Sequence, residues 1–381
     1  MYKVITGNAA AAYAAKLCRV DVVAAYPITP QTTIVEYIAE FLANGEMDCE
    51  YIRVESEHSA MTACIGASLA GARTFTATSS HGLALMHEML HWATYSRLPI
   101  VMAVANRTLG PPWNIWADLQ DAISQRDTGW IQFYAKNNQE VLDTIIQAYR
   151  LSENERVMLP SMVSLEAFVL SHTSEPVDIP DQEKVDEFLP QYNPPFMVID
   201  FENPKTIGNI ALPEETAKHR KYIMKAMENA SSMIKEISKE FQEKFGRYHG
   251  DLLEEYELED SETVIVSMGT IASTAEDAVN LLREKGEKVG LLRIRVFRPF
   301  PERDIKKKLE DKEKIIVIDR NCSWGIGGAL YTEVRHSLYP GGPEVVGFLA
   351  GIGGVDVTPS DIMKMYEKAK KEKGGSFWYG P

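Results

Sequence analysis

At 381 residues the chain exceeds what one hydrophobic core usually sustains, so two or three domains are expected. Its 45% apolar and 25% charged content is that of an ordinary globular protein, and no stretch approaches the roughly eighteen apolar residues a membrane span needs. A net charge of −14 argues against a nucleic acid partner, because phosphate binding needs basic surface.

The opening residues Met1–Thr6 lack an apolar signal region followed by a cleavage site, so the expected location is the cytoplasm. Four cysteines (Cys18, Cys49, Cys64, Cys322) are widely separated, with no Cys-x-x-Cys among them. That spacing predicts neither a disulfide framework nor a resident iron–sulfur cluster, which would need grouped thiolates.

In chain order the pattern alternates. Val22–Tyr26 reads as a strand, followed by a helix to about Asn44 and the short strand Tyr51–Val54. Glu57–Ala70 is a helix rich in Ala, Gly and Ser; Thr74–Thr78 is a strand, Leu83–Tyr95 a helix and Pro99–Asn106 a strongly apolar strand. After a long loop come a helix over Glu140–Leu151 and a buried strand over Met158–Leu165. Strands alternating with helices predict a parallel sheet covered on both faces. From about Ser174 to Asp260 the chain changes character: prolines punctuate a charged segment, and a Lys- and Glu-rich amphipathic helix spans roughly Glu214–Phe245. This reads as a connector. Alternation then resumes with strands at Thr263–Ser267, Val289–Arg295, Ile315–Asp319 and Val345–Ala350. Helices fall at Ala272–Lys285, Gly325–Ser337 (with its leading turn) and Pro359–Glu372. The expected organisation is therefore α/β, with a domain over 1–173, a connector over 174–260 and a smaller domain over 261–381.

Three loops carry the candidate chemistry. Tyr26-Pro27-Ile28-Thr29-Pro30-Gln31-Thr32 follows the first strand; its two prolines fix φ and remove two donors, which makes a rigid turn holding the Thr29 hydroxyl at a strand's carboxyl end. It reads either as a ligand clamp or as an ordinary βα loop. In Val54-Glu55-Ser56-Glu57-His58-Ser59-Ala60, Glu57 opens a helix. Its carboxylate either complements the helix dipole or points at a ligand nitrogen. Arg107 follows an apolar strand directly and leads into a loop with Pro111, Pro112, Trp113 and Trp116. An arginine there can clamp a carboxylate through two parallel N–H bonds; the alternative is an ion pair with Asp118 or Asp121.

Two other motifs lead elsewhere. His87-Glu88-Met89-Leu90-His91 satisfies H-E-x-x-H, but no Gly-x-x-His extension follows, and Leu83, Leu85, Met86, Met89, Leu90 and Trp92 predict a helix buried nearly all round rather than a zinc site. Gly325-Ile326-Gly327-Gly328 lacks the spacing of a dinucleotide fingerprint; it reads as an anion-binding turn or, more simply, a tight turn.

Taken in order, Tyr26–Thr32, Val54–Ala60, Asn106–Asp121 and Gln125–Trp130 closely resemble the alpha subunit of the thiamine-diphosphate-dependent 2-oxoacid:ferredoxin oxidoreductases. The resemblance extends through Val185–Pro190 and Arg298–Pro301 to nearly the whole chain. It implies a pyrimidine-binding domain followed by a transketolase C-terminal-like domain. It also implies that Glu57 hydrogen-bonds N1′ of the cofactor's aminopyrimidine, that Pro27 and Ile28 lie against the cofactor, and that Thr29 and Arg107 hold the carboxylate and neighbouring oxygen of the 2-oxoacid. The expected products are CO₂ and an acyl group passed to coenzyme A, with electrons leaving singly through iron–sulfur clusters to ferredoxin.

The sequence has no GDG…N pattern; His249-Gly250-Asp251-Leu252 does not match. In the resembling family the beta subunit holds the diphosphate, and magnesium and [4Fe-4S] clusters lie in partner subunits of beta, gamma and delta type. The chain alone is therefore expected to be inactive. Thr29 matches the pyruvate and branched-chain members, whereas oxalate-using relatives carry arginine there. An aromatic, phenylglyoxylate-type substrate and a non-catalytic scaffold role are the alternatives.

Overall fold

The computed structural model describes residues 1–195, 199 and 202–381. The first part runs β1 (Tyr2–Thr6), α1 (Gly7–Leu17), β2 (Val22–Ala25), α2 (Thr32–Ala43), β3 (Glu50–Arg53), α3 (Glu57–Leu69), β4 (Thr74–Thr78), α4 (Ser80–Leu85), α5 (His87–Tyr95) and β5 (Val101–Asn106). Next come α6 (Gln120–Ile123), β6 (Ile131–Tyr134), α7 (Asn138–Ser152), β7 (Ser161–Glu166), β8 (Ser174–Asp178), α8 (Gln182–Phe188) and α9 (Pro213–Phe245). The last part holds β9 (Leu253–Tyr256), β10 (Thr263–Ser267), α10 (Gly269–Arg283), β11 (Val289–Ile294), β12 (Val296–Arg298), α11 (Glu302–Leu309), β13 (Lys314–Asp319), α12 (Ala329–Ser337), β14 (Glu344–Leu349), α13 (Pro359–Ala369) and β15 (Gly375–Trp378).

These strands build two sheets and a separate ribbon. The larger sheet has the order β12-β6-β7-β5-β4-β2-β3 and is parallel except for β12, which runs against β6. Its central strands β4, β5 and β7 are buried at every residue, as expected of a parallel sheet covered on both faces. The second sheet has the order β15-β14-β13-β10-β11-β9, with β9 antiparallel at one edge. The ribbon pairs β1 with β8, from Tyr2 opposite Asp178 to Thr6 opposite Ser174. Thus the segment read as a connector supplies β8 to the ribbon and β9 to the second sheet.

Several local expectations are corrected. The strand read over Val289–Arg295 ends at Ile294, and after Arg295 the chain crosses to the larger sheet as β12. The helix read over Leu83–Tyr95 is two: Met86 (ψ −9°) departs from α geometry and separates α4 from α5. Nor is that stretch buried all round, since α5 buries only Leu90, Ala93 and Thr94, while Leu85 and Trp92 stand exposed. Among the elements absent from the sequence reading, α1 and β6 are buried parts of the larger core.

The two sheets are locked by buried charge. Arg293 and Arg295, at the crossing, both donate to the carboxylate of Glu140 on α7, at 2.5 and 2.9 Å. Burial pushes the Glu140 carboxyl up, but the charges of Arg293, His249 and Arg295 outweigh it and hold it at about 2. Glu166, at the end of β7, accepts from the Thr270 backbone N–H and hydroxyl at the start of α10 and pairs with Arg320 after β13. No helix among the described residues is long and apolar enough to cross a membrane.

Candidate active site

In a parallel sheet of this kind ligands meet the carboxyl ends of the strands. Thr29, Glu57, Gly82 and Arg107 follow β2, β3, β4 and β5, which are neighbours in the larger sheet. Alternation of strand and helix has therefore placed all three site residues expected from the sequence along one edge.

Glu57 opens α3, whose N-cap is Ser56; the Ser56 hydroxyl accepts from the Ser59 N–H at 3.2 Å. Glu57 itself is only 6% exposed, yet its carboxylate makes no hydrogen bond or ion pair among the described residues. Its oxygens still reach solvent, so an unpartnered carboxylate on an otherwise covered side chain is open to a ligand. Its position is set by a neighbour with no side chain: a Cβ on Gly82 would come within 2.5 Å of Glu57 Oε1 and 2.6 Å of Thr78 Oγ1. The Thr78 hydroxyl is buried and also lacks a partner.

Arg107 is 5% exposed, and its side chain does not make the alternative ion pair with Asp118 or Asp121. Its guanidinium donates instead to two backbone carbonyls, from Nη1 to Thr29 at 2.9 Å and from Nε to Asn114 at 3.0 Å, and lies 5.7 Å from the centre of the Trp113 ring. Carbonyls orient a guanidinium without neutralising it, so its charge stays available, with Nη2 free of any partner among the described residues. Burial lowers its pKa, opposed by the charge of Asp121, but an arginine remains protonated. Thr29 is exposed, as is Pro27, and Ile28 is half-buried; the turn is pinned by Ile28 N–H to Gln31 Oε1 (3.2 Å) and by Asn8 Nδ2 to the Pro30 carbonyl (2.7 Å).

Sequence reasoning missed the group beneath these residues. Asp121 is fully buried and accepts four hydrogen bonds: from Asn106 Nδ2 (2.9 Å), Arg107 N (2.9 Å), Ser80 N (2.9 Å) and Ala122 N (2.7 Å). Burial pushes its carboxyl up to about 7, against the lowering effect of the Asn106, Arg107 and Ser80 bonds. The one signal the sequence offered for it was its place as a possible ion-pair partner of Arg107.

The aromatic loop after Arg107 bridges to the second sheet. Asn114 Nδ2 donates to the Gly353 carbonyl (2.8 Å), Asp118 accepts from Gly353 N (3.2 Å), and Leu119 N donates to the Arg320 carbonyl (2.9 Å). Trp113, Ile115 and Trp116 remain exposed on it. The glycine turn before α12 is not open to an anion from outside. The Asp319 carboxylate caps that helix from within, accepting from Leu330 N (3.0 Å) and Tyr331 N (2.8 Å). Among the described residues no group of three His, Cys, Asp or Glu side chains could hold a metal ion.

Comparison with known proteins identifies the family. Residues 13–239 match the family described as pyruvate flavodoxin/ferredoxin oxidoreductase, thiamine diphosphate-binding, and residues 261–362 match pyruvate:ferredoxin oxidoreductase core domain II. The ketoisovalerate oxidoreductase subunit VorA of Pyrococcus horikoshii is 53% identical over 97% of this chain and 94% of its own. The pyruvate synthase subunit PorA of Methanocaldococcus jannaschii is 52% identical over 99% and 97%. Among solved structures, the 2-oxoglutarate:ferredoxin oxidoreductase from Magnetococcus marinus superposes with a TM-score of 0.75 at 19% identity, over 97% of this chain and 65% of that one. A split-gene transketolase in its inactive beta4 tetramer gives 0.58 at 13% identity, over 97% and 100%. The two low-identity structures establish a shared fold. Taken with relatives at half identity across nearly their full length, the family matches show that the chain belongs to the pyruvate flavodoxin/ferredoxin oxidoreductase family.

Proposed function

We propose that this chain is the alpha subunit of a 2-oxoacid:ferredoxin oxidoreductase that decarboxylates pyruvate or a branched-chain 2-oxoacid to acyl-CoA and CO₂. The observation that carries this reading is the Glu57 carboxylate, without a partner among the described residues on a side chain only 6% exposed, with the backbone of Gly82 against it. An accessible carboxylate beside a glycine cradle fits the edge of a flat heterocycle, so these residues suit the aminopyrimidine of thiamine diphosphate. When bound, thiamine diphosphate supplies the carbanion chemistry and the electron sink for decarboxylation.

The chain's own residues then have separable tasks. Glu57 holds a proton at N1′ of the pyrimidine. Arg107, already oriented by the carbonyls of Thr29 and Asn114, binds the 2-oxoacid carboxylate through its free N–H groups, and the exposed Thr29 hydroxyl donates to a neighbouring substrate oxygen. Pro27 and Ile28 lie against the cofactor. We take residues 1–173 as the pyrimidine-binding domain and 261–381 as the transketolase C-terminal-like domain, tied by 174–260. Diphosphate, magnesium and [4Fe-4S] clusters belong to beta-, gamma- and delta-type partner subunits, coenzyme A is the acyl acceptor, and the complex works in the cytoplasm. The test is thiamine-dependent viologen or ferredoxin reduction by the native complex across a panel of 2-oxoacids. Coenzyme A-dependent reduction with pyruvate or 2-ketoisovalerate supports the reading, and reduction with none of the panel refutes it.

A further inference from the structure

We propose that Asp121 is a positioning residue of this site, its carboxylate tying the backbone of Arg107 to the start of α4, whose Gly82 sets where the Glu57 carboxylate lies. The inference rests on the reading of Arg107 and Glu57 given above. One Asp121 oxygen accepts from both Arg107 N and Ser80 N, each at 2.9 Å, so two loops after neighbouring strands share a single acceptor. The other oxygen takes Asn106 Nδ2 and Ala122 N, at 2.9 and 2.7 Å, which fixes the carboxylate plane from the β5 side. Ser80 sits at φ +50°, a left-handed conformation that an L-residue adopts only when its surroundings hold it there. The Asp121 bond to its N–H and the Ser80 hydroxyl bond to the Thr108 carbonyl (2.6 Å) provide that hold. Two residues later Gly82 meets Glu57. Asp121 touches neither substrate nor cofactor in this account; it acts through Arg107 on one side and Gly82 on the other.

The experiment is steady-state kinetics of the assembled complex carrying Asp121→Asn, with Arg107→Ala in parallel. The amide nitrogen cannot accept and must face one of the two donor pairs, so the four-bond tie between the loops is broken on one side. The KM for the 2-oxoacid should rise about tenfold or more while the KM for the viologen acceptor is unchanged. The double variant should add nothing to the KM of Arg107→Ala, because both changes remove one function. If Asp121→Asn lowers only thermal stability or the amount of active complex, with both KM values unchanged, the inference is wrong. Should that variant fail to assemble, Asn106→Ala keeps the carboxylate and removes one donor. A rise of a few-fold in the same KM supports the inference, and an unchanged KM overturns it. An unchanged KM in Arg107→Ala instead removes Arg107 from the site and with it the reading on which this inference rests, so the two failures are distinct.

Discussion

Arg107 donates through Nη1 to the backbone carbonyl of Thr29 across 2.9 Å, joining the loop after β5 to the turn after β2. The contact holds both residues proposed to bind the substrate in one unit. The positive charge is oriented by neutral acceptors and stays free to meet a carboxylate.

Arg107→Ala should therefore raise the KM for the 2-oxoacid by more than about tenfold, through loss of a charge-assisted bond. Arg107→Lys should recover little of it, because a single ammonium cannot reach the Thr29 and Asn114 carbonyls and also form a fork on the substrate. Initial rates against 2-oxoacid concentration measure this directly; an unchanged KM removes Arg107 from the site.

Gly82→Ala separates activity from stability. By helix propensity alone, alanine in α4 is favoured over glycine by about 1 kcal/mol. Its Cβ, however, would fall 2.5 Å from Glu57 Oε1 and 2.6 Å from Thr78 Oγ1, so the carboxylate must move. Turnover should drop by at least about tenfold, since misplacing a reacting group by about 1 Å can cost far more, while the melting temperature changes little. Turnover equal to the parent would contradict the role given to Gly82.

Glu140 anchors the crossing from β11 to β12, and its contribution depends on pH in a defined direction. Its carboxyl is held at about 2, below its ordinary 4.5, so the stabilisation is fully present above pH 4.5 and is lost as pH falls through about 2. Glu140→Gln leaves Arg293 and Arg295 buried without their shared anion and should cost about 3–5 kcal/mol at neutral pH. Urea midpoints measured down the pH scale should show the gap between parent and variant narrowing only below pH 4.5. A gap that does not depend on pH would show that the ionised form of Glu140 is not what stabilises the fold.

Much of the architecture was legible because buried parallel strands are short apolar runs, and Thr74–Thr78 coincides with the observed β4. The three candidate residues could be picked out because each lies in the loop after a strand, where a parallel sheet presents its ligands. What escaped has physical causes. The alanines of α1 pack on all sides and so show no amphipathic period. Strand β6 is four residues long and lies between a glycine turn and a helix cap. Crossing between sheets after Ile294 is decided by the partners of Arg293 and Arg295, which lie some 150 residues away in sequence. Asp121 was visible only as a possible ion-pair partner; its true role depends on backbone N–H groups, which no side-chain pattern reveals.

The most direct test is the turnover of the assembled complex carrying Glu57→Gln. An amide of the same size keeps the packing against Gly82 but cannot hold a proton at a ring nitrogen as a carboxylate does. The account predicts a fall in kcat of at least about a hundredfold with the complex intact, in the range expected for loss of acid–base function. Near-parental kcat would contradict it and leave this chain as a scaffold around chemistry done by its partners.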